Sequence, residues 1–200
     1  ARDLLRDNKL RLVKEKYFIE PSIVPGRYVS IFGLGSGLAA LPVFAVAKLL
    51  NGPLKTNRPY VWGVGKTAAS LYVAMSVALL FLIASRFLST KGALLTALAY
   101  GLGTCVWSIS SQALWQHGPN EFFLMLSAFL LLRSQEKPMS LFFCGTALAA
   151  AVASRPTSAV VALTVTLFAV ISAPKQSWKL LVGAAPIALG LMAFNQHYYG

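Results

Sequence analysis

Acidic residues are scarce: only six of the 200 residues are Asp or Glu, and Asp3, Asp7, Glu15 and Glu20 account for four of them. Charged residues of both signs make up 12% of the chain against 56% hydrophobic, whereas a soluble domain carries roughly 25% charge. That composition excludes a fold whose whole surface faces water. Cysteine is nearly absent too. Cys105 and Cys144 both lie inside apolar stretches, where a thiol behaves as a small hydrophobe, so no disulfide framework or metal cluster is expected. The chain starts at Ala1 without the pattern of a secretory signal and stops at Gly200 just after an aromatic cluster, and is expected to be an internal piece of a longer protein.

Positive charge is the one polar feature in surplus, with 18 Lys and Arg giving a net charge of +12. Its distribution excludes a nucleic-acid partner. Arg2, Arg6, Lys9, Arg11, Lys14, Lys16 and Arg27 precede the first apolar segment, and most of the rest flank apolar segments singly or in pairs, the pattern of membrane borders.

Within residues 1–18, Leu4, Leu5, Leu12 and Val13 recur at helical spacing among Arg, Asp and Lys, which predicts a helix lying on the membrane surface. The Pro25-Gly26 turn closes this part. Apolar spans follow at 28–47, 67–85, 122–132, 141–153, 157–171 and 180–194. Residues 92–120 carry no formal charge but are apolar only through Trp107; the second half is polar, aromatic and then broken at Gly118-Pro119. The fold class is therefore all-α: a polytopic transmembrane helical bundle of five to seven membrane segments over 28–200. Residues 1–27 form an amphipathic juxtamembrane region ahead of it. The links 86–91, 133–138 and 173–179 hold six basic residues and 109–119 and 195–200 none, so the former are expected in the cytoplasm and the latter outside.

Charges retained near a hydrocarbon core are functional candidates. Arg155 is the only charge between Lys137 and Lys175 and suits a phosphate clamp; an interfacial Arg beside Pro156 is the plainer reading. Trp115, Gln116, His117, Asn120 and Glu121 place stacking, hydrogen-bonding and titratable groups at one helix start. They suit a sugar, or proton exchange at His117, with an aromatic interface belt as the alternative. Pro119 fits the first helical turn, where a carboxylate such as Glu121 would meet the positive dipole end. Asp3 and Asp7 are candidate bases for activating an acceptor, or solvated surface residues. Arg27 and Tyr28 stand where a lipid phosphate would lie, as an ordinary flanking pair would. Gly33, Gly35 and Gly37 read as close-packing glycines rather than a nucleotide loop.

Four blocks together resemble the GT-C superfamily of membrane glycosyltransferases, most closely its bacterial branch related to protein mannosyltransferases and aminoarabinose transferases. They are Arg27-Tyr-Val-Ser-Ile-Phe-Gly-Leu-Gly, then Trp107 through Trp115-Gln-His-Gly-Pro119, then Ser154-Arg-Pro-Thr157, and last Asn195-Gln-His-Tyr-Tyr-Gly200. The resemblance implies an inverting transferase in the bacterial plasma membrane, with a polyprenyl-phosphate sugar as donor and a lipid, glycan or protein as acceptor. It implies transfer on the extracytoplasmic face, with 1–27 also outside. By position, Asp3 or Asp7 would activate the acceptor and Arg27 would contact the donor phosphate. No cofactor is required by the residues present, the metal question staying open. Alternatives of other classes are a secondary transporter or lipid-carrier flippase, which would also show broken helices, and a non-catalytic membrane assembly subunit.

Overall fold

The computed structural model describes residues 19–30, 32–52 and 58–200. The amphipathic stretch with Asp3 and Asp7 lies outside the described residues. Seven α-helices carry the described fold: α1 Gly35–Asn51, α2 Arg58–Ala84, α3 Thr90–Gly103, α4 His117–Arg133, α5 Ser140–Ser154, α6 Ala159–Ser172 and α7 Trp178–Tyr198. A short antiparallel hairpin, β1 Ile19–Pro21 with β2 Tyr28–Ser30, precedes them.

Small residues, rather than large ones, mark the inner faces. On α3 the buried positions are Ala93, Ala97 and Gly101, four apart, one stripe of a 3.6-residue helix. On α2 they include Ala68, Ala69, Val73 and Ser76. Large apolar side chains point outward instead, with Ile171 80% exposed and Leu95 68%. In lipid no hydrophobic force drives helices together, so close backbone approach between small residues does. α2 and α7 are each long and apolar enough to cross a membrane. At 15 and 14 residues, α5 and α6 reach only about 21–23 Å, short of the roughly 30 Å hydrocarbon core.

Among the glycines of the described residues, the tightest approach joins α5 to α7. A Cβ on Gly145 would collide with the Leu180 carbonyl, and one on Gly183 with the Phe142 carbonyl, so each helix presses its backbone into the other's missing side chain. Beside this crossing Leu141, Cys144, Leu148, Ala169 and Leu180 form the buried core.

From α2 onward, successive helices run antiparallel. The links between α2 and α3, α4 and α5, and α6 and α7 share one end, where Arg86 pairs with Glu136 at 3.2 Å. The turn between α3 and α4, the turn between α5 and α6 and the end of α7 gather on the other side. α1 starts there: a Cβ on Gly33 would stand 2.6 Å from the Ala153 carbonyl oxygen, and Gly35 also abuts the Ala153–Ser154 backbone. Gly37 has no such neighbour, so close packing holds for two of the three expected glycines.

Three expectations are corrected. Residues 28–47 are not one span; β2 ends at Ser30 and α1 begins at Gly35. α4 begins at His117 rather than Phe122, so Pro119 sits in its first turn but Glu121 is its fifth residue, and the first turn itself holds no acidic residue. α7 continues through Asn195 to Tyr198, making most of the terminal polar cluster helical.

Candidate functional site

The polar breaks converge because three local features stop helices at one level. After α3, residues Val106–Ser110 form a π-turn closed by the Ser111 N–H donating to the Val106 carbonyl at 3.1 Å. Such turns widen a helix and recur at functional positions. The Ser111 and Gln112 side chains cap the freed Trp107 carbonyl at 2.6 and 3.1 Å, and Ser70 of α2 donates to the Ser111 carbonyl at 3.0 Å. After α5, Arg155 is extended and the Pro156–Ser158 turn of 3-10 type follows, since the residue before a proline is pushed away from the helical region.

These two breaks are bolted together. Ser158 donates to the buried Asn120 Oδ1 at 2.6 Å, fixing the start of α4 to the turn behind α5. Ser110 donates to Glu121 Oε1 at 2.7 Å, while Glu121 Oε2 is buried without a hydrogen-bond partner among the described residues. Arg155 Nη1 donates to His117 Nδ1 at 3.2 Å. The Glu121 carboxylate lies near enough to interact electrostatically with both, so a guanidinium, an imidazole and a carboxylate share one half-buried nest.

The third wall comes from the hairpin and the end of α7. The Ser22 hydroxyl and the Ile23 N–H both donate to the Tyr198 carbonyl, at 2.7 and 3.1 Å, and the Tyr199 hydroxyl donates to the Ser30 carbonyl at 2.7 Å. Gly26, with φ +74°, makes the reversal at the hairpin tip. Between these walls lies a cavity of about 500 Å³ lined by Ser30, Ser36, Trp115, Gln116, His117 and Tyr199, among others. That volume is within the roughly 300–1,000 Å³ range of ligand sites.

Of the residues singled out from sequence, Trp115, Gln116 and His117 are on the cavity wall, and Arg155 contacts His117 without lining the cavity itself. Asn120 and Glu121 are engaged with Ser158 and Ser110 rather than lining the cavity. Arg27 and Tyr28 lie exposed at the start of β2 and are not among the lining residues. Sequence reading missed Ser36, a residue of the cavity lining whose hydroxyl is buried without a partner among the described residues. It also missed Ser110 and Ser158; a hydroxyl next to each helix break was the available signal. Among the described residues, no three His, Cys, Asp or Glu side chains gather as a metal site.

A polar nest carried on helix breaks, inside a bundle whose outer faces are apolar, is the site of a membrane-embedded protein. The family model described as dolichyl-phosphate-mannose-protein mannosyltransferase matches residues 61–198. The chain belongs to that family, and is thereby a glycosyltransferase of the GT-C type. The matched region holds His117, Glu121 and Arg155 and leaves out Arg27, Tyr28 and the two early aspartates. No curated protein and no solved structure matched the chain.

Proposed function

We propose that this region binds the lipid-linked sugar of an inverting transferase, with a polyprenyl-phosphate sugar as donor and a hydroxyl-bearing acceptor. The observation that carries the reading is His117 on the wall of a cavity of about 500 Å³, with Arg155 bonded to its ring at 3.2 Å. The family name points to a mannosyl donor and a protein acceptor. Trp115 offers a stacking face for the sugar, and Gln116 offers hydrogen bonds to its hydroxyls. The chain would take its place in the bacterial plasma membrane with five to seven segments. The six basic residues at the far links support an extracytoplasmic site.

Chemically, the acceptor oxygen attacks the anomeric carbon from the side opposite the phosphate. The carbon–oxygen bond to the phosphate breaks, and polyprenyl phosphate leaves with the bonding pair. The acceptor proton passes to a carboxylate, for which Asp3 and Asp7 are the candidates. Arg155 offsets the growing phosphate charge, the electrostatic contribution that weighs most in such reactions. Arg27 is a second candidate cation for the donor.

The test is sugar transfer by the full-length protein in membranes, using a polyprenyl-phosphate mannose donor. Arg155→Ala should raise the donor KM about 10- to 100-fold, the loss expected for hydrogen bonds to a charged group. An unchanged donor KM would remove Arg155 from the donor site. Transfer that survives loss of both Asp3 and Asp7 would place the base elsewhere.

A further inference from the structure

A guanidinium has five donors and no acceptor, so its contact with His117 Nδ1 at 3.2 Å fixes which way the imidazole carries its proton. Nδ1 must present its lone pair, and the ring proton must be on Nε2. His117 lines the cavity while Arg155 is not among the lining residues. Nε2 makes no hydrogen bond within the described residues and is not among the buried polar atoms lacking a partner, which leaves it free for a ligand.

We infer that His117 is a donor-binding residue in its own right: a neutral imidazole that offers Nε2–H to the phosphate of the lipid-linked sugar, polarised and oriented by Arg155 at Nδ1. This rests on the reading of the cavity as a donor site and deepens it, because it makes Arg155 act partly through another side chain. A cation bonded to one ring nitrogen draws charge toward itself and strengthens the other nitrogen's N–H as a donor. Charged or titratable groups near the ring are Arg155 at Nδ1, Glu121 on the same helix and Tyr199 in the lining of the same cavity. A proton on Nδ1 would abolish its acceptor and set two cations against each other, so donor binding should weaken toward acid pH.

The experiment measures donor KM and kcat for the full-length protein between about pH 5 and 8. It compares wild type, His117→Ala, His117→Gln and Arg155→Ala, with thermal melting of each in detergent as a folding check. Gln keeps a neutral N–H donor near the Nε2 position but has no titrating ring. Expected results are a donor KM rising toward acid pH in wild type, a KM about 10- to 100-fold higher in His117→Ala, and partial rescue with a flat acid limb in His117→Gln. A wild-type acid limb persisting in a folded His117→Gln protein would overturn the inference, as would an unchanged KM in His117→Ala. If His117→Ala has no effect but Arg155→Ala raises KM, this inference fails and the donor-site reading stands. If neither variant changes KM, both fail.

Discussion

Replacing Gly33 by Ala is the sharpest test of how the site is assembled. Gly33 has an ordinary backbone conformation, since the positive-φ glycines are Gly26, Gly52 and Gly200. Only lack of space excludes a side chain. An added Cβ would sit 2.6 Å from the Ala153 carbonyl oxygen, whereas carbon–oxygen contacts settle at about 3.3 Å or more, so one backbone must retreat by roughly 0.7 Å. No rotamer can absorb this, because the obstacle is the last turn of α5, two residues before Arg155. Overpacking of this kind costs about 1–3 kcal/mol, and for a protein of this size about 2–4 °C in Tm per kcal/mol. The larger effect should fall on catalysis, because a misplacement of about 1 Å at a reacting centre can cost ~100-fold. The assay pairs melting in detergent with transfer from the lipid-linked donor. Gly190→Ala serves as control: nothing lies within 4 Å of its added Cβ, and Ala is favoured inside a helix by up to about 1 kcal/mol. Gly190→Ala should therefore hold or raise Tm with activity intact. Equal Tm and equal transfer rates for the two variants would refute the close contact between the start of α1 and the end of α5.

Two further outcomes follow from single bonds. Ser158→Ala leaves the buried Asn120 Oδ1 without its 2.6 Å donor and should destabilise the protein by about 1–3 kcal/mol, read as a lower denaturation midpoint; an unchanged midpoint would show that the two breaks are not bolted there. Tyr199→Phe removes the bond to the Ser30 carbonyl and should leave global stability within about 0.5–1.5 kcal/mol. It should speed amide hydrogen exchange across residues 19–30, and unchanged exchange there would mean the Tyr198 contacts hold the hairpin alone.

Much of this was legible in the sequence because helix breaks are local. Gly118-Pro119, Arg155-Pro156 and the polar run after Trp107 stop helices by chemistry confined to a few residues, and the site sits on those stops. Trp115, Gln116, His117 and Arg155 stood out because polar groups are conspicuous against an apolar chain. What escaped notice depends on pairs far apart: Asn120 with Ser158, Ser22 with Tyr198, Ser30 with Tyr199. No periodicity announces such pairs. For the same reason Glu121 read as a dipole partner, when its real partner is a serine on a π-turn eleven residues earlier. The hairpin was hidden because its two three-residue strands are too short for an alternating pattern, and its position depends on the carbonyl of Tyr198.

The reciprocal glycines of α5 and α7 have a mechanical consequence. Gly145 and Gly183 meet backbone to backbone near the end of the bundle remote from the cavity, which makes their crossing a fulcrum. From it, ten residues of α5 lead to Arg155, an arm of about 15 Å, and sixteen of α7 lead to Tyr199, an arm of about 24 Å. A tilt of about 5° at the crossing would swing the guanidinium by about 1.3 Å and the tyrosine, with the hairpin clasped to it, by about 2 Å. The guanidinium that holds His117 and the Tyr199 wall of the cavity are thus geared to one joint, and a change of two methyl groups at that joint would alter the site without touching any residue that lines it.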